Sequence, residues 1–146
     1  MTKNTTDTPS APGWIVWVLR AAAIYNIAWG LFILALPNAL WDWMKIDRPN
    51  HEFLWTGLGT LILLFGVGYA IASTDPRRHW GLIAIGLASK VFAFGGTIFG
   101  AFIQKNVPAQ FAWTGIVNDL VWWVPFGLIL WWVRRMSVGS KSNPPA

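Results

Sequence analysis

The chain has no cysteine, which excludes disulfides, thiolate nucleophiles and cysteine-ligated metals. Charge is scarce too. Asp, Glu, Lys and Arg make up 12% of the 146 residues, where a soluble domain carries about 25%. The two histidines, His51 and His79, fall at opposite ends of apolar segments, so a shared metal site is not expected. The glycine strings Gly66-Val67-Gly68 and Gly95-Gly96 follow no strand and fail the context of a phosphate loop. No nucleophile, base and orienting group stand at the spacing of a hydrolase. The net charge of +5 comes from Lys and Arg at segment ends rather than on one aromatic-interleaved face, which argues against nucleic acid as a partner.

What the chain has is hydrophobic length: 55% of it is apolar. Four segments, about 14–36, 52–73, 80–103 and 110–133, each have the roughly 20 residues needed to cross a hydrocarbon core of about 30 Å. Asp75-Pro76 is a strong stop after the second, because proline restricts the residue before it and cannot continue a helical hydrogen-bond ladder. Between the first two segments, Asn38 to Asn50 mixes Trp41, Trp43 and Met44 with Asp42, Lys45, Asp47 and Arg48, the pattern of a short amphipathic helix lying in the interface. The polar residues 1–13 and 136–146 are expected to be disordered tails, and no cleavage pattern follows the first apolar run. The expected architecture is all-α, an integral membrane up-down four-helix bundle with one interfacial helix between its first two spans.

Four crossings put both termini and the Arg77-Arg78 turn on one side. That side carries Lys3, Arg77, Arg78, Arg134, Arg135 and Lys141, against Lys45, Arg48 and Lys105 on the other. The positive-inside rule then places both termini in the cytoplasm. Nine of the twelve tryptophans fall near segment ends, where indole rings settle at the interface.

Helices in lipid associate through small residues and interhelical hydrogen bonds, so small-residue stripes predict inner faces. Such stripes are Ala23, Asn26 and Gly30 in the first span; Glu52, Thr56, Gly59, Gly66 and Ala70 in the second; Gly86, Lys90, Ala93, Thr97 and Gly100 in the third; and Ala112, Gly115, Asp119, Trp122 and Phe126 in the fourth. Lys90 therefore points inward. By helical rise it lies near midplane with Asn26, Asn118 and Asp119, and within roughly 6 Å in depth of Asp119. Asn118 and Asp119 are about 100° apart on a helix, so both face inward only on opposite flanks of the stripe. Pro125 frees the Val121 carbonyl and predicts a kink below Asp119.

A charge at midplane costs about 2.5–3.5 kcal/mol on insertion scales and normally pairs inside the protein. Lys90 and Asp119 are the expected pair, with Arg20 either a second partner for Asp119 or snorkelling to the headgroups. The four residues have a structural reading, an ion pair fixing helix register with Asn26 and Asn118 as interhelical hydrogen-bond glue. They have a functional one too, since buried ionisable groups in spans mark ligand, proton or ion paths. Glu52 reads as an acidic first-turn residue favoured by the helix dipole, or as an accessory group at the outer mouth. Trp122-Trp123 reads as packing or lipid contact.

Arg20 early in the first span, a proline and amphipathic connector, and Glu52 opening the glycine-rich HEFLWTGLGTLILLFGVGY together resemble the DoxX-like group of small bacterial four-helix membrane proteins. DPRRH, LASK and NDLVWWVPF are similar to strings in other four-span bacterial proteins. The resemblance implies an inner-membrane accessory of respiratory, quinone-linked or redox metabolism, with Arg20 and Glu52 the matched residues.

The leading expectation is a non-enzymatic protein whose interior, around Asn26, Lys90, Asn118 and Asp119, binds a lipid- or quinone-like molecule or docks a larger membrane complex, as a single chain or a homo-oligomer. The alternatives are a proton-coupled small transporter using Asp119 or Glu52, and a membrane isomerase or cyclase with Asp119 and Lys90 as acid and base. The enzyme ranks last because a tight bundle of 146 residues leaves little room for a substrate cavity.

Overall fold

The computed structural model describes residues 10–139, and among these the structure is helical with no strand. Helix α1 spans Gly13–Ala35, α2 Ala39–Met44, α3 Glu52–Ala72 and α4 Trp80–Ile98, and α4 continues as a π-helical turn, Phe99–Gln104. The last span is assembled from pieces: a 3₁₀ turn Ala109–Phe111, α5 Ala112–Gly115, a π-helical turn Ile116–Leu120 and α6 Val121–Gly139. Four stretches, of 23, 21, 25 and 29 residues, are long and apolar enough to cross a membrane.

The boundaries follow local chemistry. Pro12 precedes the first turn of α1, where a missing N–H costs nothing. Asp75 ends the α3 side of its turn by accepting the backbone N–H groups of Arg77 and Arg78 at 3.2 and 3.1 Å. Lys45 and Lys105 take left-handed φ values of 54° and close α2 and the Phe99–Gln104 turn. The C-terminal helix runs six residues past Val133, so residues 136–139 are helical rather than tail. The rest of that expected tail, and residues 1–9 of the N-terminal one, lie outside the described residues.

The closest packing joins α1 to α3, which run antiparallel. A Cβ on Gly30 would lie 2.6 Å from the Gly59 carbonyl oxygen, and one on Gly66 would lie 2.8 Å from the Ile27 nitrogen and 2.9 Å from the Ala23 oxygen. Only glycine lets the two backbones approach this far, the close packing that stands in for the hydrophobic effect in lipid. Two apolar clusters hold the ends. One, with Leu19, Tyr69, Ile83 and Phe126, gathers all four long helices near the α3–α4 turn; the other joins Ile33, Leu40 and Trp55 at the opposite end.

The small-residue stripes locate the interfaces but miss the exact facing. Ala23, Asn26, Gly30, Gly59, Gly66, Gly86, Lys90, Gly100, Gly115 and Phe126 are buried. Ala70 and Ala93 are exposed, and α3 buries Tyr69 and Ala72 instead. Large residues, absent from a small-residue stripe, fill the wider gaps between helices and so rotate the buried face. Near Pro125 the span widens into the π-helical turn Ile116–Leu120 just before α6.

Candidate functional site

Between the two apolar clusters lies a cavity of about 300 Å³, lined by α1, α3, α4 and the broken last span. The tight bundle expected from the sequence is therefore not what forms, and there is room for a small molecule. Its walls are mostly apolar, with Leu58, Leu61, Ile62 and Phe65 along α3, while Asn26, Tyr69, Ser89, Lys90, Asn118 and Asp119 gather at its polar end. All four residues expected at the site from the sequence line this one cavity.

Lys90 is 5% exposed. Its ammonium donates to the Asn118 backbone oxygen at 2.7 Å and stands 3.7 Å from an Asp119 carboxylate oxygen. The expected pair exists, but a carbonyl shares the cation with the carboxylate and makes the shorter contact. The geometry depends on the π-helical turn that carries both residues. Such turns widen the backbone spiral and frequently mark functional sites. Asn118 and Asp119 both serve the interior this way, Asn118 by its backbone oxygen to Lys90 and by its side-chain oxygen to the Tyr25 hydroxyl, 2.7 Å away.

One expectation is corrected, for Asn26, and the two readings each of Arg20 and Glu52 are narrowed to one, Glu52 standing in the first turn of α3. Asn26 is buried, but its amide donates to Ala22 of its own helix at 2.8 Å, so this bond joins no second helix. A turn of α1 presents its own carbonyl within reach before another helix does. Arg20 is exposed, its guanidinium 5.7 Å from the Trp17 ring centroid rather than beside Asp119. A residue three positions along the same helix is the nearer neighbour. Glu52 is exposed outside the cavity and accepts a 3.4 Å hydrogen bond from Asn38. Trp122 and Trp123 pack as expected, against Tyr25 and Phe126 and against Phe94 respectively.

Two residues not singled out by the sequence reading belong to the site. They are the chain's two tyrosines, Tyr25 and Tyr69. Tyr69 is 1% exposed, lines the cavity, lies against Gly86, and its hydroxyl has no hydrogen-bond partner among the described residues. For Tyr25 the available signal was position: tyrosine favours the membrane interface, yet Tyr25 sits in the middle of α1, whereas Tyr69 lies in the last turn of α3 and gave no such signal. At the other end of the cavity Trp41 of α2 stacks on Phe111, centroids 5.1 Å apart and planes within 9°, and meets Trp55 edge-on at 5.1 Å. Trp55 is held in turn by an indole bond to the Pro37 oxygen at 2.9 Å. No group of three or more metal-binding side chains occurs among the described residues.

No protein-family model, curated protein or solved structure matches the chain.

Proposed function

We propose that this chain is a multi-pass integral membrane protein, an up-down four-helix bundle with both termini cytoplasmic, whose cavity binds the polar head of a small lipid- or quinone-like molecule. It works as an accessory, alone, as a homo-oligomer or within a larger membrane complex. Helix α2 lies in the headgroup layer. Support for that placement is its two-sidedness, with Leu40 buried and Trp43 79% exposed.

The observation that carries the reading is the position of the Lys90–Asp119 pair. A register-fixing ion pair needs no empty space beside it. This one closes the end of a cavity whose other walls are mainly apolar, the composition of small-molecule sites, in which a few placed polar groups orient a hydrophobic body. The likeness of Arg20 and the Glu52 segment to DoxX-like proteins supports a bacterial inner-membrane, redox-linked setting. Arg20 and Glu52 are exposed outside the cavity, which supports a role for them at the surface rather than with the ligand.

Gentle purification followed by native mass spectrometry tests the proposal. Wild type retains one small amphiphile per chain, and a Lys90→Met/Asp119→Asn variant, which removes both charges together, loses it. If both proteins carry only the bulk lipids of the membrane in equal proportion, the reading fails.

A further inference from the structure

The cavity has one wall that is also outer surface. Leu58 and Leu61 of α3 line it while 46% and 56% exposed, and across from them Ala93 of α4 lines it and is exposed as well. Helices α3 and α4 touch near their connecting turn, where Tyr69 lies against Gly86. Farther along they part: Ala93, two turns beyond the buried Gly86, is exposed on the cavity side of α4. In a spanning protein this gap faces acyl chains, because the exposed side of a span is the lipid side.

The end toward the α1–α3 connection is closed. Trp55 and Phe111 line the cavity there, and Trp41 covers both, stacked on one and edge-on to the other. The indole bond from Trp55 to Pro37 holds this aromatic cover to the connection. A molecule arriving from water meets a lid of packed rings, whereas one dissolved in the bilayer meets an opening.

The charge count narrows the occupant further. Lys90 and Asp119 carry opposite charges 3.7 Å apart, so the polar end sums to zero. A charged head would leave one uncompensated charge at membrane depth, which is strongly unfavourable. The Lys90 ammonium has three protons, spends one on the Asn118 carbonyl and has others to offer an accepting head.

We infer that the cavity is loaded sideways from the lipid phase, through the gap between α3 and α4, by a neutral amphiphile whose head carries hydrogen-bond-accepting oxygen. This rests on the ligand-binding reading, naming the route and the class of ligand. Leu58, Leu61, Ile62 and Phe65 hold the apolar chain, and Lys90 meets the head.

The absence of cysteine makes the test direct, since an introduced thiol is unique. Ser89→Cys places one in the cavity beside Lys90, and Thr97→Cys places a second reporter nearer the gap should the first disturb folding. In proteoliposomes, membrane-soluble N-cyclohexylmaleimide modifies these thiols, and a sulfonated, water-confined maleimide does not. Adding Ala93→Trp, which plugs the gap, abolishes the first reaction. Methyl decanoate, a neutral and thiol-inert probe with an accepting carbonyl, protects the thiol, and decanoate and decyltrimethylammonium do not. Modification by the sulfonated reagent at an equal rate, no modification by either reagent, or undiminished modification with the gap plugged overturns the route. Equal protection by a charged decyl compound overturns the neutral class. The labelling without added probe reads access whether or not a ligand binds, so it can fail while co-purification succeeds, and the reverse.

Discussion

The Lys90 ammonium lies closer to the Asn118 backbone oxygen, at 2.7 Å, than to the Asp119 carboxylate, at 3.7 Å. A backbone carbonyl that points at a buried cation is a fixed dipole, and the carboxylate supplies the compensating charge from farther away. The cation is thus anchored by the chain itself while its counter-ion keeps the site neutral.

Removing one charge is therefore worse than removing two. Lys90→Met leaves a carboxylate 16% exposed with no counter-ion, and is expected to destabilise by about 3–5 kcal/mol. Lys90→Met/Asp119→Asn is expected to recover most of that loss. Thermal unfolding of the purified variants in one detergent reads the difference, and a double variant as unstable as the single one would show that the pair is not the source.

The glycines divide into two classes by what surrounds them. Gly30→Ala and Gly66→Ala drive a methyl group into the backbone of the facing helix, at 2.6 and 2.8 Å, and are expected to cost about 1–3 kcal/mol or more. Gly95→Ala and Gly96→Ala meet open space and are expected to gain roughly 0.5–1 kcal/mol from helix propensity. Opposite signs in a melting series check the assignment.

The Tyr69 hydroxyl is buried without a partner, a state that costs about 1–3 kcal/mol. Tyr69→Phe keeps the ring that meets Phe126 edge-on at 4.9 Å. It is expected to raise stability by about 1 kcal/mol and to leave retention of the amphiphile unchanged, because the hydroxyl is sealed against Gly86. Melting and native mass spectrometry are read on the same sample, and loss of the amphiphile would instead make the hydroxyl a binding group.

Orientation is testable without purification. The proposed orientation, with both termini cytoplasmic, predicts that a fluorescent protein fused at the C-terminus folds and fluoresces and that alkaline phosphatase fused there is inactive. Replacing Arg77, Arg78, Arg134 and Arg135 with glutamine, which removes four of the six cations counted on that side, is expected to produce mixed orientation.

Composition and hydropathy determined the helical class and the four spans, because bilayer thickness imposes a length on each segment that is readable locally. Asp75-Pro76 and the chain around Pro37 marked boundaries through single-residue backbone chemistry. The inward direction of Lys90, and its depth beside Asn26, Asn118 and Asp119, followed from helical periodicity alone. Periodicity assumes one regular helix per span, and here the last span breaks that assumption. The π-helical turn at Ile116–Leu120 lets Asn118 and Asp119 serve the same interior and turns a carbonyl toward Lys90. Tertiary packing alone decided that large residues such as Tyr69 rotate the buried face of α3, that α3 and α4 part beyond Gly86, and that Trp41 covers Phe111 and Trp55. Each of these depends on side chains distant in sequence filling, or failing to fill, the same space, and no single segment carries that information.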